Sequence, residues 1–182
     1  ANVHSSVSGT VLDVKKQTTA YGMDTVVIIE NDERYALSET VKPKPDFTTL
    51  SGKEIIDIIK EAGIVGMGGA GFPTHVKLSP PPEKPIDTIV LNGAECEPYL
   101  TCDHRIMLED PDLIIKGLQI LMRALNVPNG VVGIESNKPD DIERMKIAAK
   151  DTTIKVVGLK TKYPQGAEKQ LIYACTKREI PS

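Results

Sequence analysis

The stretch Gly66-Met67-Gly68-Gly69-Ala70-Gly71 satisfies the spacing G-x-G-x-x-G, which can let a backbone approach a phosphate closely. A dinucleotide fingerprint needs a strand immediately before the glycines, and here a helical pattern precedes them. A phosphate-binding P-loop needs G-K-[ST] at its end, and none follows. What remains is a dense glycine loop able to lie against a flat or phosphorylated ligand without side-chain obstruction, or a tight structural turn; the motif by itself leaves both open. Its surroundings favour the ligand. Phe72-Pro73-Thr74 stiffens the exit, and Lys77 follows within reach of a phosphate as a point charge. A second group, Asn92-Gly93-Ala94-Glu95-Cys96-Glu97-Pro98, begins where an apolar run ends. Glu95 and Glu97 there can accept hydrogen bonds from ribose hydroxyls or a carboxamide, or can simply form a solvated acidic loop.

Composition narrows the field. A net charge of -3 gives no basic footprint for nucleic acid, and 4% aromatic residues with no Trp leave little base-stacking surface. No apolar run approaches the ~18 residues that span a bilayer, so no direct membrane span is expected. Cys96, Cys102 and Cys175 cannot all pair with one another and contain no C-x-x-C spacing, which favours reduced thiols and disfavours an iron–sulfur cluster or other metal held by this segment.

These groups need a scaffold to converge. Residues 4–30 read as short strands: the run from His4 to Val14 places apolar residues at alternating positions around Gly9, Tyr21-Gly22 breaks the chain, and Thr25 to Ile29 resumes it. The pattern resembles one half of a biotinyl- or lipoyl-type β-sandwich (barrel-sandwich-like), without a modifiable Lys in the matching context. Pro43 and Pro45 mark a linker. Ser51-Gly52-Lys53-Glu54 is a capping box opening a helix that Gly63 stops. From 86 onward strands (86–91, 131–134, 154–157) alternate with helices: 111–125 capped by Asp110, 139–150 begun near Asn137, and 166–175. This repetition predicts an α/β fold, a parallel sheet flanked by helices, with ligands at the carboxyl ends of the strands. The expected division is 1–45 for the partial sandwich and linker, and 46–182 for the α/β domain. The start without Met and the abrupt end read as a piece of something longer.

Three segments carry a resemblance: Gly63 to Thr74, Asn92 to Tyr99, and Lys162-Tyr163-Pro164-Gln165-Gly166-Ala167-Glu168-Lys169-Gln170-Leu171. In this order they resemble the C subunit of the Rnf electron-transport complex, and the first two are similar to the flavin-bearing subunit of respiratory NADH dehydrogenase. The resemblance implies FMN on the glycine loop with NAD(H) stacked over its ring. Gly66, Gly68, Gly69, Gly71, Lys77, Asn92 and Glu95 would then lie on the flavin side. Phe72, Glu97 and Glu168 would lie on the nicotinamide side, with Gly166 in the third motif. No side chain is implied as a catalytic acid or nucleophile, because the cofactor carries the hydride chemistry. The implied activity is an NADH-linked flavin oxidoreductase within a membrane-associated complex exchanging electrons between ferredoxin and NAD. Other subunits of that complex would be its partners, and the cytoplasmic face of the membrane its place. Two 4Fe–4S clusters are expected in a region downstream of this segment, which alone would be incomplete.

The sequence also departs from the respiratory pattern. Met67 stands where that subunit has Arg, Ala94 where it has a carboxylate, and Ala167 where it has one of two adjacent glutamates. Each change removes a polar contact. A soluble relative serving another reductase, and a docking module without flavin, are the competing readings.

Overall fold

The computed structural model describes residues 2–67 and 71–180. Its centre is a parallel sheet of β3 (Thr88–Gly93), β4 (Asn129–Glu135) and β5 (Ile154–Leu159) in the order β3-β4-β5. Helices return the chain between strands: α3 (Cys102–Glu109) and α4 (Pro111–Leu125) after β3, α5 (Pro139–Ala148) after β4, and α6 (Glu168–Thr176) after β5.

Alternation along the strands divides the core into two layers. Ile89, Leu91, Val132, Ile134, Ile154 and Val156 face Ile115, Leu118 and Met122 of α4 and Met145 of α5. Val90, Val157 and Leu159 face Leu171, Ala174 and Cys175 of α6. Gly130 and Gly133 lie under these helices: a Cβ at Gly130 would come within 2.8 Å of Met122 Sδ, and one at Gly133 within 2.8 Å of Cys175 Sγ. Both glycines are therefore close-packing residues.

Helix α1 (Gly52–Glu61) starts at the expected capping box, with Ser51 Oγ accepting from Glu54 N and Glu54 Oε2 accepting from Ser51 N at 2.8 Å. Ile55 and Ile59 bury against Leu78, Ala124 and neighbouring residues of α4, and Gly63 ends the helix with φ +69°. The short helix α2 (Thr74–Lys77) follows the glycine loop. At the amino end, β1 (Gly9–Thr19) and β2 (Gly22–Asn31) pair antiparallel as a two-stranded ribbon with a bulge between Val11 and Asp13. Half a sandwich is the expectation from the sequence here; the described residues form the ribbon.

Three local expectations change. Helix α3 is not anticipated by the sequence pattern, because it is short and buries Met107 alone. Asp110 does precede α4, but its side chain makes no capping bond, since α3 runs into α4 through that single residue. The helix expected over 139–150 does start at Pro139 and runs to Ala148, but Lys138, not Asn137, stands at its cap position.

Candidate functional site

The loop between α1 and α2 is closed by backbone bonds. Gly66 N donates to the Phe72 carbonyl at 3.0 Å, Thr74 N to the Ile64 carbonyl at 3.0 Å, and Val65 bridges Pro73. These bonds bring the entry to the loop, at Val65 and Gly66, against its exit at Phe72 and Pro73. Gly71 has φ +66° with nothing among the described residues within 4 Å of a built Cβ, and Lys77 Nζ lies 3.2 Å from a Cβ built on Gly66. Gly68 and Gly69 lie outside the described residues. Lys77 Nζ also stands 6.0 Å from the centre of the Phe72 ring, at the outer limit of cation–π contact.

At the end of β3, Asn92 joins two motifs distant in sequence. Its Nδ2 donates to the Gly166 carbonyl at 2.9 Å and its Oδ1 accepts from Ala94 N at 3.1 Å. Gly166 approaches so closely that a Cβ there would sit 2.8 Å from the Ala94 carbonyl oxygen. The third motif is therefore laid directly across the exit of β3.

These elements enclose a cleft of ≈ 920 Å³. It is lined by Phe72 and Lys77 from the loop and α2, by Thr88, Val90 and Asn92 of β3, and by Gly166, Glu168 and Leu171 at α6. Its volume lies at the upper end of the ~300–1,000 Å³ typical of small-molecule sites. The carboxyl end of β3 is the expected place, and the cleft reaches it. It also continues along β3, which lies at one side of the sheet, to the opposite end, where Arg178 Nη1 pairs with Asp87 Oδ1 at 2.7 Å. That pair holds the Asp87 carboxyl below its usual range. Sequence reasoning misses it, and no local signal marks partners so far apart in the chain.

Five of the proposed residues, Phe72, Lys77, Asn92, Gly166 and Glu168, line this cleft. Gly66 borders Lys77. Glu95 does not line the cleft: its side chain is 2% exposed and engaged with protein groups. Glu97 is solvent-exposed two residues further on and is likewise not among the lining side chains. Beyond Glu95, His104 Nδ1 and Asp141 Oδ2 lie 2.7 Å apart, joining α3 to α5. Burial pushes the Asp141 carboxyl up despite that bond.

The chain belongs to the family of the Nuo51 FMN-binding domain, which matches residues 59–182. Its curated relatives include C subunits of ion-translocating oxidoreductase complexes, two of them named as ferredoxin:NAD(+) oxidoreductases, in agreement with the Rnf resemblance. The C subunit of the proton-translocating ferredoxin:NAD(+) oxidoreductase complex of Clostridium ljungdahlii is 52% identical, over 100% of this chain and 40% of that protein. The Na(+)-translocating counterpart from Acetobacterium woodii is 47% identical, over 99% of this chain and 41% of that protein. The chain thus spans about two-fifths of the length of these relatives. An NAD+-reducing NiFe-hydrogenase in the air-oxidised state shares the fold with a TM-score of 0.55 at 22% identity, over 71% of this chain and 25% of that one. Among the described residues no helix is long and apolar enough to cross a membrane.

Proposed function

We propose that this chain is the FMN- and NAD(H)-binding portion of an electron-transfer subunit, with its cofactors seated in the cleft between α2, β3 and α6. The observation that carries this reading is convergence: Phe72, Lys77, Asn92, Gly166 and Glu168 come from three separate motifs and line one cleft. The donor set fits a flavin nucleotide, with a cation for the phosphate, an aromatic ring for stacking, and close-lying glycine backbone where the ligand must approach. FMN, when bound, supplies the hydride acceptance; the chain binds and orients it.

In this reading Lys77 pairs with the phosphate, and the glycine loop from Gly66 to Gly71, Gly68 and Gly69 included, lies against the flavin. Phe72 and Glu168 border the nicotinamide. Glu97 faces the nucleotide ribose from the loop after β3 and repels an extra phosphate there, so that NADH is chosen over NADPH. The units are 1–45 and 46–182, and 4Fe–4S clusters carried elsewhere in the full subunit pass electrons between FMN and ferredoxin. The subunit sits peripherally on the cytoplasmic face of the membrane with the other subunits of its complex.

Flavin titration of the purified protein followed by fluorescence tests the central claim. FMN is expected to bind, and Lys77→Ala to weaken it by about 1.5–3 kcal/mol, the range for hydrogen bonds to charged groups. Equal affinity in the variant removes Lys77 from the site, and no uptake by the full-length subunit leaves the docking reading. Glu97→Gln is expected to keep part of the NADH-dependent flavin reduction and to lose discrimination against NADPH. Unchanged discrimination assigns that choice to another residue.

A further inference from the structure

The Glu95 carboxylate is held entirely by the protein. Oε1 accepts from Asp103 N at 3.0 Å and from the Cys102 thiol at 3.3 Å, while Oε2 accepts from Lys138 Nζ at 3.0 Å and His104 N at 3.4 Å. Lys138 also reaches the Glu95 carbonyl at 3.4 Å, and its side chain is 12% exposed. One carboxylate therefore caps the first turn of α3 and receives the ammonium that stands at the start of α5. Burial opposes its ionisation, but the bonds from Asp103 N, Lys138 and Cys102 outweigh that and hold its pKa below the ordinary value.

We propose that Lys138 and Glu95 form a positioning pair for the cleft, an inference that rests on the cofactor reading above. The connection is short and continuous. The pair fixes the backbone at Glu95, the adjoining Ala94 carbonyl packs against Gly166, and Asn92 binds both Ala94 N and the Gly166 carbonyl. Gly166 and Glu168 form one wall of the cleft, so movement at Glu95 is passed to that wall through two residues. A purely stabilising role is the competing explanation, and it is the weaker one. Desolvation makes buried ion pairs a poor source of stability compared with apolar packing. Met107 and Met145 supply apolar packing in the layer around α3 and α5, beside the His104–Asp141 bond that joins the same two helices. What an ion pair adds is direction: it admits one placement of the strand exit relative to two helix ends.

The test uses the full-length subunit and FMN, comparing wild type with Lys138→Met, Glu95→Gln and the double variant. Each single substitution is expected to weaken FMN binding by up to roughly 100-fold, the scale on which small misplacements act on a site. The double variant should be no worse than the poorer single, because the two residues act as one unit. Met145→Ala serves as a control that lowers stability without touching the pair, and its FMN affinity should stay at the wild-type level. Unchanged affinity in Lys138→Met, additive losses in the double variant, or an equal loss in the control overturns the proposal. If Lys138→Met does not fold, Lys138→Arg decides: a changed visible circular dichroism of bound FMN supports positioning, and identical affinity and spectrum refute it. If the wild-type subunit takes up no FMN, the cofactor reading falls instead. Hydrogen exchange at the Asp103 and His104 amides then judges the pair, with protection lost in the variant expected and protection unchanged excluding a positioning role.

Discussion

The amino-terminal ribbon and the parallel sheet are both regular β-structure, yet they are held by different forces. β1 and β2 share a long hydrogen-bonded ladder interrupted at the Val11–Asp13 bulge, but their side chains are mostly exposed on both faces, Val11, Val14, Met23 and Val27 among them. β4 has a ladder of similar regularity between two neighbours, and from Gly130 to Glu135 every residue is buried, with Val132 and Ile134 at 0% exposure. Backbone hydrogen bonds exchange partners with water and give little net stability each. Burial is what separates the two regions, and an isolated two-stranded ribbon is marginal by itself. Register in the ribbon is set by its turn and bulge, whereas in the sheet it is set by which residues must reach which helix.

Substitutions can break this comparison. The largest effect is expected in the sheet layer: Met145→Ala removes a side chain with 0% exposure and should cost about 2–5 kcal/mol, read by chemical denaturation. A cost below about 1 kcal/mol would mean that the layer is loosely packed. Glu95→Gln probes the polar seam beside the same layer through pH. Its lowered pKa means that the ionised carboxylate stabilises the fold above the ordinary carboxylate range, and that this contribution disappears as pH falls through the lowered value. The stability gap between wild type and variant should therefore be widest near neutral pH and close in acid. A gap independent of pH would assign the loss to shape. Ser51→Ala removes the cap of α1 and should cost about 1 kcal/mol, measured in the same way. Val14→Ala in the ribbon should change global stability by less than about 0.5 kcal/mol. The ribbon amides should also exchange with solvent well before those of β4. Matching exchange rates in the two regions would end the distinction drawn here.

The sheet is legible in the sequence because its strands are compact apolar runs separated by helical stretches, and α4 coincides with its expected limits, 111–125. The capping box at Ser51 and the stop at Gly63 are equally local signals. Helix α3 escapes because a single buried residue, Met107, gives no period to detect. At the site, the glycine loop and Asn92 stand out by residue type and place in the pattern, whereas Gly166 is marked only by the motif that carries the family resemblance. The orientation of Glu95 does not. Its alternatives, cleft or helix cap, differ by which way one side chain turns, and the deciding partner, Lys138, lies 43 positions away. Arg178 and Asp87 are hidden for the same reason, being an exposed pair joined only by the fold.

The contact of Gly166 with the Ala94 carbonyl has a consequence for how such a site diversifies. Polar residues in a cleft are hard to exchange, since each change alters what can be recognised. Residue 166 offers a variable of another kind. A single methyl group there would meet the 94 carbonyl at 2.8 Å and press the two loops apart against the Asn92–Gly166 bond, altering the width of the cleft without changing any charged side chain. Position 166 is thus a steric dial, and the glycine is its narrowest setting.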